Sequence, residues 1–499
     1  MVITGNSQFT PDTSPIVDVG RILKICIVGA GVSGLRAAGL LVTAGFKVTL
    51  IEARDRIGGR VHQSSQLGFP LDTGACWIHG TEGNLIVALA NNANATTAAC
   101  GAVYSICDSK GKWLDREVAR QLYEEVWRIL EKATDKSRDE KASLSDTAKM
   151  MDFFRREVRD GCSGAESPDN YKALITEIVE MWGAFMGDEC ERQSLKNLWL
   201  EAGLEGDNLF MASTFQNIIT GLFAPVQSKI DLHLNCEVTR ISNNTIANGI
   251  EVKAANGFRD IFDDIIVTAP LGWLKRNESA FSPPPPPELS TAIRSLGYGN
   301  LDKVFIRFPT AFWDDGPASP FPIESLFLRP EYAAETNPAQ WRTEIISFSG
   351  LQPPFSQPVI MFFVYGQWGR HITGLVRGMD QTSEEYYRIL NNTFQPYYSK
   401  LPSYDSSSAE CRPLAFMSTD WQGSRFAGYG SFTNQPIGSG DCARHFEVLR
   451  EGMGEARGIW FAGEHISPPG GLGTVTGAYW SGEQAAKRVA RRHGKTIDV

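Results

Sequence analysis

The 499-residue sequence lacks several common features, and each absence removes a class of function. No apolar run is long enough to span a bilayer, so no membrane-spanning helix is expected. The opening stretch "MVITGNSQFTPDTSPIVDVG" has neither the basic flank nor the apolar core of a secretory signal, and the closing "TIDV" does not match the peroxisomal tripeptide. An intracellular protein, cytoplasmic by default, is therefore expected. The nine cysteines are scattered, without a C-x-x-C pair or metal-ligand spacing, which predicts reduced thiols and no metal site. No block of lysine and arginine interrupts a chain of net charge −9, which argues against nucleic acid as the partner. Nothing repeats internally, which excludes a solenoid or a propeller.

What is present begins with "KICIVGAGVSGLRAAGLLVTAGFKVTLIEARDRIGGRV", Lys24 to Val61. An apolar strand runs into Gly29, Gly31 and Gly34, a helical pattern follows, and a second strand ends on the acid Glu52. In such a βαβ unit the first Gly permits the tight turn and the second lets the backbone approach a pyrophosphate at the helix N-terminus. The third lets helix and strand pack closely. Glu52 suits a ribose diol and would repel a 2′-phosphate. NAD and FAD both remain open on this unit alone. The extension through Arg54, Arg56, Gly58, Gly59 and Arg60 adds two glycines that let the chain pass close over a ligand, and guanidinium groups able to fork onto diphosphate oxygens. The whole run resembles that of the flavin-dependent amine oxidase family, and the resemblance implies FAD.

Further along, Arg116 to Arg159 turns helical and charged, with Leu122, Val126, Ile129 and Leu130 at one-face spacing; a helical insertion covering the cofactor domain is expected. Near Ile230 the pattern changes to short strands, and Pro283 to Pro287 reads as an extended connection. Strand-like segments at Lys303 to Phe308 and Val359 to Tyr365 alternate with helices. The last part contains "GIWFAGEHISPPGGLGTVTGAYWSGEQAAKRVARR", an apolar strand ending at Gly463-Glu464 followed by a helix from about Thr474.

That ending is similar to the second signature of the same family. By resemblance, Glu464 binds the ribityl chain, and the helix N-terminus at Thr474 and Val475 faces the pyrimidine edge, where reduced flavin is anionic. "LDTGACWIHG" resembles the flavin-facing loop and brings Trp77 and His79, the latter toward the substrate amine. Val238 matches the position whose backbone contacts adenine. In "YGNLDKVFIRFPTAFW" the family's lysine, which holds a water against flavin N5, falls on Lys303; from the residues alone a lysine starting an apolar strand is a solvated edge or gatekeeper. Trp421 and Phe432 match aromatic positions near the flavin, and Thr474 also borders the substrate. Where monoamine oxidases carry the cysteine that binds FAD covalently, this chain has Ser431, so FAD is expected to be non-covalent.

The expected architecture is α+β. A discontinuous Rossmann-like FAD domain (21–97, 215–272 and 409–499) follows a flexible leader (1–20), and a mixed-sheet and helical substrate domain takes 98–214 and 273–408. The expected reaction is oxidation of a C–N bond of a small-molecule amine or polyamine to an imine, hydrolysed to an aldehyde and an amine, with oxygen reduced to hydrogen peroxide. Glu201, Glu205 and Asp207 are candidates for holding a distal ammonium. The alternatives are an amino-acid oxidase, which would need an arginine such as Arg307, Arg370 or Arg377 for the substrate carboxylate, another flavin oxidase or desaturase of the same fold, and a non-enzymatic binding protein on that fold.

Overall fold

A parallel five-stranded sheet organises the first part of the molecule, in the order Ile459–Phe461, Asp264–Val267, Lys24–Val28, Lys47–Ile51 and Asp231–His233. The computed structural model describes residues 21–99, 105–161, 169–244, 249–314, 316 and 321–498. The leader at 1–20 lies outside the described residues. Four of the five strands are short, largely apolar and buried, as strands covered on both faces must be, whereas the edge strand Asp231–His233 is partly exposed. Chain order reverses at Lys24–Val28: its sequence neighbour Lys47–Ile51 lies on one side, and the later strands Asp264–Val267 and Ile459–Phe461 lie on the other. The crevice beyond the carboxyl end of that strand is where open α/β sheets bind ligands.

The loop at this crevice shows why glycine is needed. Gly29 sits at φ 111°, and a Cβ there would lie 2.3 Å from Thr268 Oγ1. A Cβ on Gly34 would lie 2.0 Å from the carbonyl oxygen of Gly29, so only glycine lets the helix Val32–Thr43 seat against the strand. The C-terminal helix Val475–Arg492 packs alongside that helix. Its cap is Thr474, whose Oγ1 accepts from Gly477 N at 3.0 Å and donates to Gly471 O at 2.8 Å.

The second large sheet has six strands, in the order Ala415–Ser418, Leu301–Arg307, Val359–Tyr365, Thr343–Ser347, Glu324–Phe327 and Ser105–Cys107. It is antiparallel except at its last pair. Parallel and antiparallel sheets together with separate helical layers give the α+β architecture expected. Two expectations need correction. The helices Arg116–Glu140, Met150–Gly161 and Asp169–Glu180 do not cover the cofactor sheet: their apolar stripe, including Leu122, Val126, Phe154 and Ile178, packs with Ile106, Leu326 and Leu328 at the far edge of the six-stranded sheet. An amphipathic stripe shows that a helix packs on something, without showing on what. The proline run is not wholly extended either, since Pro287 opens the helix Pro287–Ser295, at the one position where its missing N–H costs nothing. Among the described residues no helix is long and apolar enough to cross a membrane, and seven cysteines are free, while Cys100 and Cys162 lie outside them.

Candidate functional site

One cavity of about 820 Å³ runs from the glycine loop, between the two sheets, to the helical layer. Its nucleotide end is lined by Gly29, Gly31, Glu52, Arg54, Gly58, Gly59, Arg60 and Val238. The helix Val32–Thr43 opens here with no side-chain cap, so its first amide groups point at the cavity unsatisfied, as an anion-binding helix end requires. A Cβ on Gly31 would meet only Gly58 O, at 4.0 Å, so the glycine keeps that space open for a ligand rather than for packing. Gly58 N donates to Ala30 O at 2.8 Å, which folds the arginine-glycine extension over the loop. Gly34 stands behind the wall and acts only through packing.

The acids here are held in position. Glu52 accepts from Ala30 N and Arg54 N, both at 2.9 Å. Glu464 accepts from Arg60 at 2.7 Å and from Thr433 N at 3.3 Å. Arg60 also donates to Ser431 O at 2.7 Å, so the guanidinium read as a free fork for a diphosphate is in fact tied to Glu464 across the cavity wall.

Lys303 stands at the middle of the cavity, and the edge reading of this lysine is wrong. It is the third residue of Leu301–Arg307, a strand flanked on both sides, and it is only 4% exposed. Its Nζ donates to Asp72 O at 2.9 Å and to Gly74 O at 2.6 Å. An ammonium has three donors, and beyond these two bonds its neighbours are the Cys76 thiol and the cavity. The neighbouring Asp302, which sequence reasoning missed, braces this region. Its Oδ1 accepts from Thr419 Oγ1 at 2.7 Å and from Trp421 N at 2.8 Å. Thr419 is in turn bonded to the Lys303 backbone in both directions, at 2.9 Å each way. Trp421 Nε1 donates to Thr73 O at 2.9 Å, so both the backbone and the indole of Trp421 are fixed here. Burial pushes the Asp302 carboxyl up to about 6, against the pull of these bonds. Burial likewise drives Asp72 up to about 8, while the nearby Lys303 opposes the rise.

Around Lys303 the structure gathers Trp77, His79, Trp421, Phe432, Thr474 and Val475. Burial lowers the His79 imidazole, with a hydrogen bond to Asn208 opposing it, so the ring is neutral near pH 7. Ser431 Oγ is engaged on both sides, accepting from Leu301 N at 3.0 Å and donating to Leu301 O at 2.9 Å.

The far end of the cavity is walled by Trp127, Trp182 and Phe185 from the helical layer. Trp182 and Phe185 stack at 4.4 Å between ring centroids. Of the acids in "LEAGLEGDN", Glu201 and Asp207 line the cavity, whereas Glu205 is absent from its wall. Burial pushes Glu201 up to about 8, and its Oε1 has no partner. Three further wall acids, Glu237, Glu324 and Glu344, were not anticipated; the last two are each the single acid of a short strand of mixed polarity. None of the three arginines suggested for a carboxylate substrate reaches the wall. Arg307 donates to Leu67 O, Arg370 to Asn300 Oδ1, and Arg377 pairs with Asp420.

A Rossmann crevice, a buried lysine and an aromatic pocket thus share one cavity. Residues 32–490 match the family model of flavin-containing amine oxidoreductases. The chain belongs to that family. The protein is a flavin-containing amine oxidase. It is 27% identical over 489 residues to polyamine oxidase 4 of Oryza sativa subsp. japonica, covering 94% of this chain and 89% of that one. It is 26% identical over 495 residues to the lysine-specific histone demethylase 1B homolog of Caenorhabditis elegans, covering 93% of this chain but 56% of that protein. A solved putrescine oxidase with redesigned cofactor binding shares the fold, with a TM-score of 0.69 at 18% identity over 95% of this chain and all of the other.

Proposed function

We propose that the protein oxidises a secondary amine or polyamine at a carbon next to nitrogen, yielding an imine that hydrolyses to an aldehyde and an amine, with oxygen reduced to hydrogen peroxide. The observation that carries this reading is Lys303: buried, pinned by two backbone carbonyls, with its third donor between the Cys76 thiol and a cavity that also holds a neutral His79. FAD, when bound, takes up the hydride and passes its electrons to oxygen.

The chain's own residues do the rest. Gly29, Gly31, Gly58 and Gly59 cradle the diphosphate, Glu52 takes the ribose diol, Arg54 balances the charge, and the Val238 backbone meets the adenine. Glu464, held by Arg60, orients the ribityl chain, and the amide groups after Thr474, from Val475 on, favour the negative charge of reduced flavin. Lys303 holds a water with its remaining donor. The aromatic walls at Trp77, Trp421 and Phe432 strip solvent from the amine, which lowers its pKa and frees the lone pair that hydride loss requires. His79, neutral, accepts a hydrogen bond from the substrate nitrogen. The polyamine oxidase named above is a relative along nearly the whole chain, which supports this substrate class over aromatic monoamines.

The test is a peroxide-coupled screen of spermine, N-acetylated polyamines, benzylamine and amino acids. The polyamines are expected to lead in kcat/KM. Benzylamine ahead by tenfold, about 1.4 kcal/mol, would overturn the reading.

A further inference from the structure

The short strand Leu71–Asp72 and the residues after it wrap the Lys303 ammonium. Asp72 O and Gly74 O accept from Nζ at 2.9 and 2.6 Å, and the Cys76 thiol lies against the same group. Thr73 O, between them, points the other way and accepts from Trp421 Nε1 at 2.9 Å, as alternation along an extended segment requires. This segment has no room to retreat. A Cβ on Gly74 would lie 1.8 Å from Arg60 O, and Thr73 N donates to His62 O at 2.9 Å. Thr73, Gly74, Ala75 and Cys76 line the cavity, whereas Asp72 stands behind its wall.

The Asp72 side chain is therefore enclosed beside the lysine without sharing its cavity. It is 5% exposed, and both carboxyl oxygens accept from Phe215 N, at 3.2 and 3.0 Å. Gln63, its partner on the neighbouring strand, does not titrate, nor does Thr214, which is bonded to Gln63. The titratable groups that act on it or feel it are Lys303 and Cys76. Burial raises the Cys76 thiol above its ordinary value, so it stays neutral and Lys303 is the one charge nearby.

We propose that Asp72 is a positioning residue for the oxidation step, a counter-charge seated behind Lys303 that sets how much of the ammonium's field reaches the flavin. This rests on the amine-oxidation reading above. A protonated Asp72 leaves the ammonium uncompensated, which favours the negative charge that the flavin gains on reduction. An ionised Asp72 cancels part of that field. Burial holds the carboxyl protonated up to about 8, with the Lys303 charge pulling the other way. Removing the ammonium takes away that pull, so the carboxyl then stays neutral to higher pH still. The segment that carries Asp72 also supplies the two carbonyls on Nζ, so the carboxyl and the ammonium cannot drift apart when the charge changes.

The test measures the two-electron reduction potential of the FAD-loaded enzyme from about pH 6 to about pH 9, spanning the Asp72 titration, in wild type, Asp72→Asn, Lys303→Met and the double variant. Asparagine keeps an oxygen for Phe215 N and cannot ionise. The pH dependence that flavin brings by itself cancels between variants. Wild type and Asp72→Asn are expected to agree at the acid end. At the alkaline end Asp72→Asn should lie above wild type by about 30 mV, a tenfold change in the reduction equilibrium. In the Lys303→Met background the same substitution should change that equilibrium by less than about threefold, since the carboxyl there stays protonated. A difference between wild type and Asp72→Asn that is equal at both ends overturns the proposal, as does an undiminished difference in the Lys303→Met background. If Asp72→Asn fails to fold or to hold FAD, the gap between wild type and Lys303→Met decides. It should narrow by about 30 mV from the acid to the alkaline end, and a constant gap overturns the proposal. A wild type whose flavin is bleached by no amine sinks the amine reading instead, while the potentials still decide on Asp72.

Discussion

Replacing Lys303 by methionine separates two roles that the same ammonium plays. The stem keeps its length and its apolar contacts, so the change removes only the charge and its donors. Two of those donors hold Asp72 O and Gly74 O, at 2.9 and 2.6 Å, and their loss leaves two buried carbonyls without this partner. At 1–3 kcal/mol for each unsatisfied group, the stability cost is about 2–6 kcal/mol. The third donor is the one assigned to the water. Losing a positioned charge from an active site costs about 10² or more in rate, so flavin reduction and reoxidation should both slow by that factor. FAD content should stay near normal, because Gly31, Glu52 and the uncapped helix lie at the other end of the cavity. The assay is stopped-flow: anaerobic bleaching of the oxidised flavin band, then mixing of the reduced enzyme with oxygen, at a temperature well below the variant's unfolding transition. A purely structural lysine gives lowered stability with both half-reactions within about threefold of wild type, under ~0.7 kcal/mol. That result, with full FAD, would refute the catalytic reasoning.

Non-covalent FAD follows from Ser431, whose hydroxyl is occupied by both backbone groups of Leu301 and cannot form a thioether; acid precipitation should release the yellow colour into the supernatant, and colour in the washed pellet would contradict it. Glu201→Gln should reveal a buried carboxyl that resists ionisation. The folded protein keeps this proton up to about 8, whereas the unfolded chain releases it near 4.3, so the folded state binds more protons in that window and stability falls as pH rises through it. Glutamine does not titrate. The variant should match wild type near pH 4 and exceed it by up to about 4 kcal/mol at pH 8 in urea unfolding; an equal difference at both pH values would show that Glu201 ionises normally.

The parts of this site legible in the sequence are those where backbone geometry admits one residue type. Gly29 and Gly34 could be read because a positive φ and a 2.0 Å approach leave no alternative to glycine, and Glu52 because an acid must end the second strand of such a unit. Lys303 was legible only by resemblance: its residues permitted an exposed edge, and only the flanking strands Val359–Tyr365 and Ala415–Ser418 make it internal. The destination of the helical layer was hidden for a related reason, since periodicity encodes a face and not its partner. Arg60 was assigned to the diphosphate because nothing local indicates that Glu464, four hundred residues away, claims the same guanidinium. Glu324 and Glu344 show the limit most clearly. Each is the single acid of a short strand of mixed polarity, and nothing local says which face it takes. Their meaning depends on the register between Glu324–Phe327 and Thr343–Ser347: a slip of one residue would turn one of them to the opposite face and dissolve the pair. What brings them to one cavity wall is therefore strand pairing, a property of the folded sheet that is written in neither segment alone.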